Sequence, residues 1–196
     1  SYINVTKGLN GGTVETGDTL EIRASFVVRS GTYDSCRYQD AVPAGTTYIP
    51  GTIKVLTNEG IPYKSFTDAA GDDQGRITGS AITINLGFRT GAAPATAFRR
   101  GRVANTHKPS FYGSTCIMIA SFRIRVTAAT GSNISTGGGN ITYKSGAAAI
   151  QTFTFVLIGN NILGIEHMFT DYWYILFTTS CFANLLGLNI SASFNS

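Results

Sequence analysis

The sequence predicts an all-β protein, a sandwich of antiparallel sheets. Runs of alternating apolar and polar residues are separated by glycine-rich turns, and no amphipathic helical pattern precedes residue 160. In Leu20–Val28, the side chains of Leu20, Ile22, Ala24, Phe26 and Val28 share one face, and Glu21, Arg23 and Ser25 take the other. Met118–Val126 repeats the pattern, with Met118, Ala120, Phe122, Ile124 and Val126 inward and Arg123 and Arg125 outward. Shorter strands are expected at Thr52–Thr57, Ala81–Leu86, Asn140–Tyr143 and Thr152–Val156. Turns fall at Gly11-Gly12, Gly17-Asp18, Pro43-Ala-Gly45, Pro50-Gly51, Gly71-Asp-Asp73 and Gly137-Gly-Gly139.

Two segments stand apart from this rhythm. Gly87–Ser110 reads as a long polar, Gly/Ala-rich loop or insertion, of a length that is usually mobile or functional. The composition shifts after Ala147, which divides the chain into a sandwich over 1–146 and an apolar segment over 147–196. After Asp171 no charged residue follows. Tyr172–Ile190 is long enough to span a bilayer, but its Thr, Ser and Asn residues and the absence of basic flanks argue against an anchor. Buried or intersubunit strands are the preferred reading. Tyr172, Trp173, Tyr174, Ile175, Leu176 and Phe177 are then interface residues, with the Tyr-Trp-Tyr run a sugar-stacking platform in the competing view.

The chain has 196 residues, enough for a hydrophobic core without metals or cross-links. An apolar share of 43% and a charged share of 13% exclude intrinsic disorder. Glycine is frequent but lacks a period of three, which excludes collagen, and the residues of a long coiled coil are scarce. The net charge of +4 is unevenly spread, because no acid lies between Gln74 and Ile165. The basic residues of that stretch are dispersed and lack interleaved stacking aromatics, so nucleic acid is not the expected partner. They are expected to meet the acids of the first half, or those of a neighbouring subunit. Arg99, Arg100 and Arg102 form the one tight basic cluster and are the candidate contacts for a glycan.

Chemistry-bearing motifs are few. Cys36, Cys116 and Cys181 include no CxxC, and with only two histidines a zinc site has little to be built from. Either one disulfide forms, with Cys36–Cys116 the preferred pair, or all three are buried thiols. No GxSxG elbow and no facing carboxylate pair are present, so the expectation is a protein without catalytic residues. No cofactor is expected. Asp68, Asp72 and Asp73 put three carboxylates in a Gly-rich loop, as a calcium ion would need, though an ordinary solvated turn explains them more simply. The first residues form no signal peptide, and four N-x-S/T sequons, at Asn4, Asn133, Asn140 and Asn189, are consistent with export or with chance.

Gly17-Asp-Thr-Leu-Glu-Ile-Arg-Ala-Ser-Phe-Val-Val28 is followed by Asp40-Ala-Val-Pro-Ala-Gly-Thr-Thr-Tyr-Ile-Pro-Gly-Thr-Ile-Lys-Val55. This order of a GDT strand entry, a D-x-V-P-x-G-x-x-Y turn and a G-T strand resembles the bacterial conserved-repeat domain (domain of unknown function eleven). Ile77–Gly87 and Ala120–Thr127 are similar to that family's next two strands, so the resemblance covers about residues 5–145. The wording of Lys7–Gly12 and Lys108–Cys116 is most similar to versions in surface proteins of Bacteroidetes. The resemblance implies an immunoglobulin-like sandwich, extracellular or on a cell surface, with a structural or adhesive role and no catalytic residues. A single copy with an apolar tail points to self-association into a filament, sheath or surface layer by β-strand addition, with copies of itself or other surface proteins as partners. The alternatives are a glycan-binding module and a virion structural protein of sandwich fold.

Overall fold

The alternating runs become neighbouring strands because each has one wholly apolar face to bury. In the computed structural model, which describes residues 1–88, 101–110, 113, 115–136 and 139–154, two antiparallel sheets pack face to face. Strands are numbered along the chain. The first sheet runs β2 (Leu9–Asn10), β1 (Tyr2–Asn4), β3 (Thr19–Val28), β11 (Cys116–Val126), β6 (Lys54–Thr57) and β7 (Tyr63–Ser65). Beside β6, β5 (Thr46–Tyr48) also pairs with β11, at its far end. The second sheet runs β13 (Gln151–Thr154), β12 (Asn140–Lys144), β4 (Thr32–Ala41), β9 (Ala81–Asn85) and β8 (Gly75–Thr78), and β10 (Val103–Ala104) adds to β4.

β3 and β11 form the backbone of the first sheet, in register from Cys116↔Val28 to Arg125↔Thr19. Leu20, Ile22, Phe26, Val28, Met118, Phe122 and Ile124 are all buried on its inner face. Against them pack Cys36, Tyr38, Ile82, Ile84 and Ile141 of the second sheet, giving one continuous core. Each large apolar side chain removed from water there stabilises the fold by about 1.5–3 kcal/mol. The alternation therefore decides both the pairing and the face.

The Pro43–Gly45 turn moves the chain between sheets. β4 ends at Ala41, Pro43 opens a turn closed by the Thr46 amide on the Pro43 carbonyl at 3.1 Å, and β5 enters the first sheet. Gly45 sits at φ 77°, where a side chain is disfavoured, and a Cβ there would lie 2.9 Å from Ala128 Cβ. Its carbonyl accepts the amides of Thr127 and Ala128, both at 2.9 Å, and so fastens the turn to the end of β11. At the GDT entry, Asp18 accepts the Glu15 amide at 2.9 Å and the Asn4 amide group at 2.7 Å. Asn4 is fully buried by that contact, so the sequon at Asn4 is part of the packed interior.

Three boundaries differ from the sequence expectation. The central strand β4 was not expected, because only Cys36 and Tyr38 along it are fully buried and its alternation is broken. Ser35 has φ 55°, and the pairing with β12 steps from Thr142↔Arg37 to Lys144↔Asp34, leaving one extra residue on β4. The stretch Gly87–Ser110 is not one exposed loop: Val103 and Ala104 return as buried β10, followed by a 3-10 turn at Asn105–His107. The sandwich also passes the expected limit at 146, since β13 extends the second sheet to Thr154. Residues 155–196, and with them most of the apolar segment, lie outside the described residues.

Candidate functional site

The carboxylates of the Asp68–Asp73 loop are turned onto the chain itself. Asp68 accepts the Tyr48 hydroxyl at 2.5 Å through one oxygen and the Gly51 amide at 2.9 Å through the other. It thereby clamps the Tyr48–Pro50–Gly51 corner between β5 and β6. Burial, and donation to Asp68, push the Tyr48 hydroxyl up to about 12. Asp72 accepts the Thr67 hydroxyl at 2.5 Å, which lowers its pKa, and Asp73 accepts the amides of Thr67 and Gly75, each at 2.8 Å. The three side chains of the candidate calcium set are thus not brought together as ligands. Among the described residues, no group of three or more His, Cys, Asp or Glu side chains is placed to hold a metal. Asp68→Asn is expected to cost about 1–2 kcal/mol of stability, the scale of one charge-assisted hydrogen bond. Urea unfolding with and without millimolar calcium checks this; a loss that calcium alone creates or abolishes would restore the metal reading.

Cys36 and Cys116 are both buried free thiols, not the bridged pair. Burial, then the nearby Asp34 carboxylate, pushes the Cys36 thiol up to about 12, which leaves it chemically inert. Cys116 faces Glu59, with Sγ 3.8 Å from Oε1. The Glu59 side chain is fully buried and gathers two more groups: its Oε2 accepts the Phe88 amide at 2.7 Å, and Oε1 lies 3.3 Å from His107 Nδ1. Phe88 lies before and His107 after residues 89–100 in the chain, so one carboxylate ties together the segments on either side of them. The order Cys–Glu–His is not that of a nucleophile and base, because the acid stands between thiol and imidazole and Cys116 is 0% exposed. Nothing in the sequence around Asn58-Glu59-Gly60 signals this node. It arises only when β10, β11 and the end of β6 meet.

Of the basic cluster expected to contact a glycan, Arg102 is described and pairs with Asp34 at 3.4 Å, both half exposed. Arg99 and Arg100 lie outside the described residues, as do Tyr172, Trp173, Tyr174, Ile175, Leu176 and Phe177. Among the described residues, no helix is long and apolar enough to cross a membrane.

Among the described residues, four charged side chains meet on the outer face of the first sheet. Alternation sends Glu21 and Arg23 of β3 and Arg123 of β11 to that face, and register sets Glu21 directly across from Arg123. Arg23 grips Glu21 Oε1 through Nε at 2.8 Å and a terminal nitrogen at 2.6 Å. Lys54 of β6 and Arg123 both reach Oε2, at 3.1 and 3.0 Å. The aliphatic stems of these cations cover the carboxylate, whose side chain is 2% exposed. Burial alone would raise the Glu21 pKa; the hydrogen bonds from Arg23, Arg123 and Lys54 outweigh it and bring it down to about 2. The sequence showed Glu21, Arg23 and Arg123 as outward-facing but not that they meet Lys54 and one another, since Glu21 and Arg123 are 102 residues apart. The acid-poor second half thus meets the acids of the first half here and at Asp34. No protein-family model, curated protein or solved structure matches the chain.

Proposed function

We propose that this chain is a non-enzymatic structural or adhesive subunit, exported to a bacterial surface, that joins copies of itself by β-strand addition. The observation that supports this reading is the position of β13. Among the described residues it is the outermost strand of the second sheet, pairs with β12, and has three of its four residues exposed. The outermost strand of a sheet is the position at which a further strand is added. β13 leads directly into a stretch that carries no Lys or Arg and only Glu166 and Asp171 as acids. An apolar segment that follows an outermost strand in the chain is the arrangement strand addition uses. The described acids and thiols hold turns, loop ends and sheet faces together, in keeping with a load-carrying module.

The test compares the full chain with a version ending at Thr154, by light scattering and negative-stain electron microscopy. The full chain is expected to form regular polymers and the shortened one to stay monomeric. Two well-behaved monomers, or polymers from both, would overturn strand addition by the tail.

A further inference from the structure

The outer face of the first sheet carries more positive charge than its structure uses. Arg23, Lys54 and Arg123 converge on the single carboxylate of Glu21, and Arg125, exposed, stands one outward position beyond Arg123 on β11. Among the described residues, four cations against one acid leave a local excess of three positive charges on three adjacent strands. Arg123 reaches Glu21 through its Nε, and its side chain stays 40% exposed. Its guanidinium can therefore meet a second acceptor from solvent. Glu21 acts as the organiser: it holds the cations in place before any ligand arrives, which reduces the ordering cost of binding.

A second observation points to what is missing. Ser121 lies in the middle of this face, with Arg23 across from it on β3 and Lys54 across from it on β6. It is 0% exposed, yet its hydroxyl has no hydrogen-bond partner. A buried hydroxyl left unpaired between two cations calls for an oxygen-rich guest. The outward neighbours of the cluster are the hydroxyl residues Thr19, Ser25, Thr47 and Ser65 together with the aliphatic Ile3, Leu56 and Ile119. Hydroxyls beside aliphatic patches suit sugar rings, and no aromatic side chain is paired with the cations to stack a base.

We infer that the face formed by Arg23, Lys54, Ser121, Arg123 and Arg125 binds a sulfated polysaccharide. Sulfate esters stay anionic at any working pH, and their oxygens accept from guanidinium forks, an ammonium group and a serine hydroxyl together. A sheet face on which Arg123 and Arg125 stand about 7 Å apart along one strand, and Arg23 and Lys54 two strand spacings or about 10 Å apart, fits an extended polymer of repeated anions better than a small ligand needing a cleft. The site is on the opposite sheet from β13, so it stands apart from the assembly reading.

Titration calorimetry of the full chain at low salt, with a heparin-derived oligosaccharide and its desulfated counterpart, tests the inference. The sulfated form is expected to bind at least about tenfold more tightly, with affinity falling steeply as salt rises, since the contact is ionic. Arg125→Gln and Ser121→Ala are expected to weaken binding by about three- to tenfold without lowering the melting temperature, because neither holds Glu21. Absence of binding, equal binding of the desulfated chain, or undiminished binding by both variants would overturn it. The last result would hand the contact to another basic cluster. Light scattering of the same samples reads assembly separately, so the two proposals fail independently.

Discussion

A Glu59→Ala variant is expected to melt about 10 °C below the parent chain, reflecting a loss of about 3 kcal/mol for a domain of this size. The carboxylate is fully buried and accepts the Phe88 amide at 2.7 Å. Alanine leaves that amide without an acceptor in the interior, which alone costs about 1–3 kcal/mol. It also opens a void beside Cys116 and removes the partner of His107. Glu59→Gln keeps an acceptor oxygen and nearly the same volume, so it is expected to recover part of the loss. Thermal unfolding followed by circular dichroism measures both variants. Hydrogen exchange at Phe88 supplies a local readout, since its protection is expected to fall in the alanine variant ahead of the core strands. An alanine variant within 1 kcal/mol of the parent would show that the node is incidental.

Acid is expected to remove about 2–3 kcal/mol of stability through Glu21. Its pKa is about 2 in the folded chain against 4.5 ordinarily, so the folded state holds the proton less tightly than the unfolded state. The stabilisation is present in full above pH 4.5 and fades as pH falls toward 2. The size is discounted because the three cations are partly in water and keep some solvation of their own when the pair breaks. Asp18 and Asp72, also lowered, act in the same direction, while Asp40 acts in the opposite one. Burial raises the Asp40 pKa against the hydrogen bonds from Tyr38 and the Ala41 amide, so its contribution is complete at low pH and is lost as pH rises through its folded value. Glu21→Gln isolates the main term. Urea unfolding at pH 3 and pH 7 is expected to show a clearly smaller difference in the variant than in the parent. An unchanged difference would place the acid sensitivity elsewhere.

The parts of the fold that could be read in advance are those where physics acts at short range. Ten consecutive residues of β3 alternate because one face is core, and period two announces that without knowledge of the partner. β4 is equally long but lies in the second sheet with a polar outward face and a bulge at Ser35, so its local pattern looks like loop. Register-dependent features were invisible for a different reason. Glu21, Lys54 and Arg123 come from three strands, and only the pairing of β3 and β6 with β11 aligns them. Asp68 stayed ambiguous because carboxylates in a glycine-rich loop look the same in sequence whether they bind a cation or cap the chain's own donors, with the ordinary turn the simpler reading. Its engagement by Tyr48 and Gly51 depends on a corner 17 to 20 residues away.

The joint between β9 and β10 has a consequence for how this scaffold tolerates change. β4 pairs with β9 from Arg37 to Ala41 and with β10 at Thr32 and Tyr33, so two short strands occupy one lane of the sheet. Gly87, at φ 86°, marks where the chain departs; a Cβ there would stand 2.1 Å from the Arg102 carbonyl, where the chain comes back. The exit and the re-entry are therefore in van der Waals contact, and the lane closes whatever lies between them. Lengthening such a segment costs little more than loop-closure entropy, about 0.6 kcal/mol for each doubling. A foreign peptide grafted there would be displayed from a seam that the sheet already seals, which makes this joint the natural address for new binding specificity on an otherwise fixed frame.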